Sequence, residues 1–476
     1  MVDGRELAAQ FEGAADFETR KVISGGNELE IFFLDGLTSG RDIADFIVRP
    51  LHEARQDERE ETLFTRAERG LVWCASMKKA SSTDEAAELL VNGFCVILFP
   101  KSGKALGCEV KTGEKRSPSA PEAENTVKGA KDAFTETIRT NTSLIRRHLR
   151  TPELRLEESV VGRRSLTKVT VCWVEGLTDP ELPARMKKRL GEIDIDGLLS
   201  PAAVEEYVTG SRKTAFPLLE FTERTDHFCQ GLLDGQVGLL VDGLPIGYLA
   251  PVSFGRLMRS PEDRATDYLS ASMLRSLRYL ALGVSLLLPG IYAAMAMFHQ
   301  QMLPTKLLLS IIESKQDVPF STLFEVVGLL CAFELLQQAG LHLPQAIGTA
   351  VSIIGGLVVG TAAVDAKLVS PAALIVTASS GICGFTLPNR ELSDALRLWR
   401  LGLTGLGGVL GLFGVTAGLL LLLIKLAGLE SLGRSYLAPF GEAEVKGALV
   451  RERLAEQKWR DGMLRPIDER NQRGRF

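Results

Sequence analysis

Two kinds of apolar pattern divide the chain. Up to about residue 255, short apolar runs alternate with polar residues and with glycine-containing turns, as in strands and amphipathic helices. Beyond that point, long stretches carry no charge. Residues 279–424 hold 13 charged residues in 146 positions, whereas the other 330 positions hold the remaining 101 of 114. The pattern predicts α+β cytosolic subdomains followed by a polytopic α-helical membrane domain.

The polar part contains an internal sequence repeat, which we call the echo. "EIFFLDGLT" (30–38) returns as "TVCWVEGLT" (170–178), and "LLVNGFCVILFPKSGKALGCEV" (89–110) resembles "LLDGQVGLLVDGLPIGYLAPVSF" (232–254). The first pair predicts a strand, a turn and a helix, and the second a helix end and two strands. Chance likeness is the alternative. We predict tandem α/β subdomains at 1–116 and 151–255, joined at 117–150 by a linker and a helix from about 127 to 150.

The membrane domain is predicted to cover 256–430. Four uncharged runs of at least 19 residues are long enough to cross a bilayer, at 279–298, 346–364, 368–389 and 401–424. The basic segment 431–476 is expected to be cytosolic, and the N-terminus, which lacks a signal segment, is expected to be cytosolic too. The number of crossings should therefore be even. The arginine-containing connection 389–400 would then lie outside, unless it is interfacial or buried against protein.

One apolar segment, 320–338, carries two glutamates. Glu325 and Glu334 are nine residues apart, so their carboxylates leave opposite faces of a helix. A carboxylate at mid-bilayer costs at least about 3 kcal/mol. The segment is therefore predicted to be interfacial or re-entrant, with both glutamates as candidates for an ion pathway. Pairing with arginines at the membrane surface is the alternative.

Glycine is enriched in the apolar runs, at spacings that let helices pack closely in lipid. The candidate packing pairs are Gly356/Gly360, Gly407/Gly411 and Gly414/Gly418. Packing within one chain would suffice to explain them, and self-association is a further possibility.

Signatures of catalysis are missing from the sequence. It contains no phosphate-binding loop, zinc-protease motif, nucleophile elbow or dinucleotide fingerprint. The five histidines are scattered, and the seven cysteines form no C-x-x-C pair, which favours free thiols. The basic clusters lack interleaved aromatic residues. We therefore expect neither an enzyme nor a cofactor, a metal or a nucleic-acid partner.

Several long stretches resemble the A subunit of spore germinant receptors, the GerA family. They include "FTETIRTNTSLIRRHLRTPELRLEESVVGRRSLTKVTVCWVEGLTDPEL" (134–182), "TERTDHFCQGLLDGQVGLLVDGLPIGYLAP" (222–251), "VPFSTLFEVVGLLCAFELLQQAGLHLP" and "AIGTAVSIIGGLVVGTAAVDAKLVSPAALIV". One departure is Thr225, where the family usually has proline. The first ~110 residues match only loosely.

The resemblance implies a non-enzymatic protein of the inner membrane of the dormant spore. It would work with a transporter-like B subunit that senses the nutrient and with a lipoprotein C subunit. The A subunit would oligomerise and form the ion-conducting element.

The sequence is compatible with several functions. The first is a ligand-gated cation channel subunit, with a sporulation paralogue of the A subunit as a variant. The second is a non-conducting scaffold that clusters receptors. A secondary transporter ranks lowest, because the internal echo lies in the soluble half and not in the membrane helices.

Overall fold

The computed structural model describes residues 1–54, 58–111, 121, 124, 128–210, 213–342, 360–440, 449–453 and 455–471. In these ranges the chain forms two sheet-based subdomains and a helical bundle. A C-terminal segment then returns to the second subdomain, where Met463 and Leu464 are buried and Ile467 N donates to Leu177 O over 2.9 Å.

Subdomain 1 is an antiparallel five-stranded sheet with helices on both faces. Its strands, in the spatial order β1-β2-β4-β5-β3, are β1 (Phe17–Ser24), β2 (Asn27–Leu34), β3 (Met77–Ala80), β4 (Phe94–Phe99) and β5 (Lys104–Glu109). Its helices are α1 (Gly4–Gln10), α2 (Gly40–Asp42), α3 (Arg49–His52), α4 (Glu60–Arg66) and α5 (Thr83–Val91), with π-helical turns at Ile43–Val48 and Ala67–Leu71. Strand β4 is apolar throughout because both its faces are covered. Val96 and Leu98 join the core formed with α1 and α5, whereas Ile97 and Phe99 join the core formed with α3 and α4.

Subdomain 2 repeats this architecture. Its strands, in the order β6-β7-β9-β10-β8, are β6 (Leu154–Val161), β7 (Thr167–Val174), β8 (Glu220–Thr222), β9 (Val237–Val241) and β10 (Gly247–Ala250). Its helices are α6 (Ile138–His148), α7 (Glu181–Gly191), α8 (Pro201–Thr209) and α9 (Thr225–Asp234). The strand order and the placing of the helices match those of subdomain 1. The predicted tandem α+β fold is therefore confirmed.

The connecting helix differs from its prediction. Helix α6 begins at Ile138 rather than near residue 127, and it packs into the core of subdomain 2. As folded, that subdomain therefore starts before residue 151, the predicted boundary. Thr225, at the first position of α9, donates from its hydroxyl to Asp132 Oδ2 over 2.6 Å. A proline there would fit the start of a helix but could not make this bond.

The bundle follows two short helices, α10 (Phe254–Leu257) and α11 (Glu262–Ala265). Its helices are α12 (Tyr268–Phe298), α13 (Thr305–Lys315), α14 (Thr322–His342), α15 (Pro371–Gly384) and α16 (Arg390–Ala427). Within the described ranges, three helices are long and apolar enough to cross a membrane, at Tyr268–Phe298, Thr322–Gly340 and Arg390–Ala427.

The predicted spans correspond only in part to these helices. The run 279–298 lies in α12, and most of the run 346–364 lies outside the described residues. The run 368–389 contains α15, whose 14 residues reach about 21 Å, short of a ~30 Å hydrocarbon core. The segment 320–338, predicted to be interfacial or re-entrant, lies in α14, which is long enough to cross. Its membrane position stays a prediction.

The predicted span 401–424 is not one straight helix, because α16 folds back on itself at Gly411. This residue has φ 67° and ψ −151°, a conformation that is essentially restricted to glycine. A Cβ on Gly418 would lie 2.6 Å from Leu403 Cδ2, although 15 residues of straight helix would span about 22 Å. We call this element the α16 hairpin, with a first arm at 390–410 and a second arm at 412–427.

The hairpin tip lies far from subdomain 2. The first arm runs parallel to α12, since Gly290 packs on Leu403 and His299 packs on Gly411. The second arm returns, so that Lys425 Nζ donates to Lys213 O over 3.2 Å at the edge of subdomain 2. The chain thus enters and leaves the bundle on the same side.

Candidate polar site in the helix bundle

Glu334 lies at the centre of a half-buried polar cluster between helices α14 and α16, which we call the seam; of its charged side chains only Arg400 is fully buried. Its Oε1 is 2.5 Å from Arg400 Nη2, and its Oε2 is 3.3 Å from Arg397 Nη1. Arg400 also reaches Ser380 Oγ on α15 over 3.4 Å, and that hydroxyl donates to Ser285 O on α12 over 2.7 Å. Four helices are therefore joined through one carboxylate and two guanidinium groups.

The seam encloses very little free space. A cavity of about 10 Å³ lies between Phe333, Gln337, Gly381 and Arg400, which is room for about one water molecule. Gln337 Oε1 and Arg400 Nε are buried there without a hydrogen-bond partner among the described residues. Within this part of the single chain the seam is a closed ionic cluster rather than an open passage.

Glu325 occupies a separate site near the other end of α14. Its side chain is buried, and its Oε2 lies 3.2 Å from Lys315 Nζ at the end of α13. Its Oε1 accepts a hydrogen bond from Ser370 N, just before α15 begins. The structure therefore gives each glutamate its own cation and does not bring the two carboxylates together.

The candidate glycines lie in close intramolecular contacts, apart from Gly356, which is outside the described residues. Gly360 approaches Leu374 at 3.6 Å, measured from an ideal Cβ. Gly407 packs on the backbone of Gly290 in α12. Within the hairpin, Gly414 packs on Leu406 and Gly418 packs on Leu403, while Gly411 forms the tip. A side chain at any of these hairpin glycines would separate helices that now touch.

Helix α14 is the least covered of the candidate spans. Only 17% of its most apolar window is buried, against 39% for α12 and 33% for α16. Its uncovered surface includes large apolar side chains such as Phe324 and Leu335, and also the amide of Gln338. An amide facing hydrocarbon would be unsatisfied and costly. We therefore expect this face of α14 to contact water or another protein surface.

A second ionic cluster joins subdomain 2 to the bundle. Arg256 in α10 lies 3.0 Å from both Glu220 Oε2 and Asp234 Oδ2, and Arg264 in α11 lies 3.2 Å from Asp234. Burial alone would raise the pKa of Glu220, but Arg256 and His227 outweigh it and lower that pKa to about 2. Burial would likewise raise the pKa of Asp234, but Arg256 and Arg264 outweigh it and lower that pKa. Both acids therefore remain charged and hold the segment that leads into α12.

Comparison with known protein families gives a match over almost the whole chain. Residues 5–463 match the family model described as "Bacillus/Clostridium GerA spore germination protein". The chain belongs to the GerA family. This GerA chain is 34% identical to the "Uncharacterized membrane protein YfkQ" of Bacillus subtilis over 92% of its own length and 86% of the relative's. It is 33% identical to "Spore germination protein KA" of the same organism, over 94% of this chain and 83% of that one.

A solved structure is also similar to part of this GerA chain. It is the N-terminal domain of the A subunit of the Bacillus megaterium spore germinant receptor GerK3, 25% identical, covering 52% of this chain and 93% of that one with a TM-score of 0.41. The three apolar helices, together with the membrane-protein name of the YfkQ relative, indicate that the GerA chain associates with a membrane.

Sequence reasoning gave pairing with arginines as the alternative for the glutamates of this GerA chain but did not name the partners, and Glu325 pairs with Lys315 instead of an arginine. Arg397 and Arg400 were assigned to an outer connection, with burial against protein as an alternative, and the structure places them on the first arm of the α16 hairpin. Their i, i+3 spacing puts both on one helix face, which is a signal for a shared acidic partner. Nothing local identifies Glu334 as that partner, because it lies 66 residues before Arg400.

In the part of the chain that the structure describes, no group of three histidine, cysteine or acidic side chains is arranged to hold a metal ion. All seven cysteines are free thiols. The site is thus built from ion pairs, amides and hydroxyls.

Proposed function

We propose that this GerA chain is the membrane subunit of a nutrient germinant receptor, in which it forms part of an oligomeric, nutrient-gated cation channel that triggers spore germination. It would act in the inner membrane of the spore with both termini in the cytosol. Its partners would be a transporter-like B subunit and a lipoprotein C subunit. No catalytic step belongs to this role. Family membership supports the germination part of the proposal.

The channel part rests on α14, whose exposed surface is mostly apolar but includes the amide of Gln338. Glu334 and Gln338 lie on a helix that has little cover from its own chain, and polar side chains in that position are expensive next to lipid. The cavity beside Arg400 is too small to pass a hydrated cation. A water-filled passage would therefore form between copies of the chain, lined by α14.

Gating would act on the ion pairs of the seam. In the present arrangement Glu334 is held by Arg397 and Arg400 and is not available to a passing cation. A carboxylate at a pore mouth attracts cations once it faces the passage. The chain would thus have two arrangements, one with Glu334 paired to the arginines and one with Glu334 facing the passage. A nutrient-bound B subunit that contacts these two arrangements differently would shift the equilibrium between them.

Potassium flux from liposomes tests this proposal directly. The purified chain would be reconstituted alone and with its B and C partners plus candidate nutrients, and oligomers would be detected by cross-linking. We expect nutrient-dependent flux that Glu334→Gln changes markedly while assembly persists. Glu313→Gln, at an exposed position on α13 in the same bundle, is the matched control and should leave flux unaltered.

Two outcomes would count against the channel. Unchanged flux in a correctly assembled Glu334→Gln variant would remove this residue from the pathway. Absence of flux in every combination, despite a defined oligomer, would favour the second candidate function, a non-conducting scaffold. The exposed polar side chains of the sheet edge β1, at 18–21, are a surface through which such a scaffold would cluster receptors.

A further inference from the structure

A basic cavity lies where the α16 hairpin returns to subdomain 2. It has a volume of about 320 Å³ and opens between α7, the end of α8 and a small β-hairpin of strands β11 (Glu430–Ser431) and β12 (Arg434–Ser435). This β-hairpin begins three residues after the last residue of the second arm. We call the space the juxtamembrane cavity.

The wall of the juxtamembrane cavity is held firmly. Ser431 Oγ donates to Leu218 O over 2.6 Å and accepts from Val252 N over 3.0 Å. Arg434 forms an ion pair with Asp179 at the start of α7. The cavity is therefore a fixed feature of the junction and not a gap between loosely packed parts.

Cations outnumber acids in the lining. Arg185, Lys188 and Arg189 of α7 face two carboxylates, Glu192 and Glu430. Arg185 is fixed by Leu432 O over 3.2 Å, and Arg189 lies 3.8 Å from Glu192. Lys188 forms no ion pair with any described carboxylate. Arg185 also pairs with Glu181, outside the lining, over 2.9 Å. The ammonium group of Lys188 is therefore the cation of the lining that is available to an anion.

Two glycines make room for the guanidinium groups. A Cβ on Gly433, which has φ +80°, would overlap Arg185 Nη1. A Cβ on Gly210, with φ +79°, would lie 3.3 Å from Arg189 Nη1. Any side chain at Gly433 would push Arg185 out of its place.

Exposed apolar side chains precede the cavity along the chain. On the second arm, the side chains of Leu420, Leu421 and Ile424 are 58–60% exposed, six to ten residues before β11 begins. Lys425, in the last turn, donates to Lys213 O. An exposed aliphatic face that ends at a basic cavity matches the two ends of a phospholipid, whose acyl chains and anionic headgroup need these two environments.

We propose that the juxtamembrane cavity binds the phosphate-bearing headgroup of an anionic phospholipid of the adjacent leaflet, with the acyl chains along the second arm. Lys188 and Arg189 contact the phosphate, and Arg185 supports the wall. A bound lipid joins the end of the last membrane helix to subdomain 2. The site lies apart from Glu334 and does not depend on the proposed channel.

Native mass spectrometry of the purified full chain in detergent tests this site. The protein would be titrated with phosphatidylglycerol, with phosphatidylcholine of the same chain length, and with inorganic phosphate as a competitor. The test variant is Lys188→Gln combined with Arg189→Gln. The matched control is Arg163→Gln combined with Arg164→Gln, two exposed arginines of the same subdomain whose acidic partners are Asp194 and Asp196.

Phosphatidylglycerol should bind the unaltered protein and the control equally, and should bind the test variant about tenfold more weakly or worse. Equal loss in both variants would show a general surface-charge effect and overturn the proposal. Equal binding of phosphatidylcholine would overturn it as well. Displacement by inorganic phosphate, without lipid selectivity, would show a site for a free anion instead of a lipid.

Single variants keep the test usable if the double variant does not fold. Should the double variant fail to fold, as judged by its circular dichroism and elution volume, Lys188→Gln alone carries the test because its side chain is exposed. Gly433→Ala should weaken lipid binding by displacing Arg185, without removing any charge. Retained binding in both single variants would overturn the assignment.

Discussion

The buried ion pair between the two subdomains leads to a quantitative prediction. Arg146 on α6 of subdomain 2 binds Asp16 of subdomain 1 through two bonds of 2.8 Å, and both side chains are almost fully buried, at 1–2% exposure. Arg146 also donates to Thr151 O over 3.3 Å. Asp16→Asn would leave a buried guanidinium group without its counter-charge. Removal of one partner from a buried pair typically costs about 3–5 kcal/mol.

Hydrogen–deuterium exchange of the full-length protein measures this cost locally. A loss of about 3 kcal/mol corresponds to about a hundredfold faster exchange, when exchange follows the opening equilibrium. We expect the change in peptides from β1, β6 and α6, since Ala15 N also bonds to Leu156 O across the same junction. Exchange in the α16 hairpin should not change.

An exposed pair of the same geometry provides the control. Arg163 binds Asp194 through two bonds of 2.8 and 2.6 Å, but these side chains are 68% and 70% exposed. Asp194→Asn should therefore have no measurable effect on exchange. If Asp16→Asn changed exchange no more than Asp194→Asn, the reasoning from burial would be refuted. The combined change Asp16→Leu and Arg146→Met should recover much of the loss, because apolar residues can replace a buried pair.

Two further predictions concern the junction and the hairpin. The pKa of Glu220, which burial alone would raise, is lowered to about 2 beside Arg256, so its contribution to stability is present above about pH 4.5 and is lost as the pH falls towards 2. Glu220→Gln should make thermal stability less dependent on pH in this window, and an unaltered pH profile would contradict the assignment. Gly411→Ala should destabilise the bundle by about 1–3 kcal/mol or more, because its φ is positive and the Cβ would meet His299. Gly405→Ala, whose Cβ meets nothing within 4 Å, is the control in a thermal aggregation assay in detergent, and an equal effect of both changes would exclude a special role for the turn.

Local pattern was sufficient to predict the soluble fold. The echo between 30–38 and 170–178 corresponds to equivalent strand-to-helix turns at the ends of β2 and β7. Alternation, turn glycines and strand length are properties of a few neighbouring residues, so they can be read directly from the chain. The position of α6 could not be read in this way. It packs into subdomain 2 through contacts with distant residues, such as the bond from Ile138 N to Asp242 Oδ1, which joins residues 104 positions apart.

The sequence by itself determined that this protein has a soluble duplicated part, an apolar helical part and two glutamates in apolar surroundings. The hydrophobic content of a segment depends only on its own residues. It is therefore the same for a 24-residue run that crosses a membrane as one straight helix and for one that folds back on itself. Tertiary structure decided that this run reverses at Gly411, where packing against Phe298 and His299 settles a conformation that only glycine adopts readily. It also decided that Glu334 meets Arg400, because an ion pair depends on distance in space and not on separation along the chain.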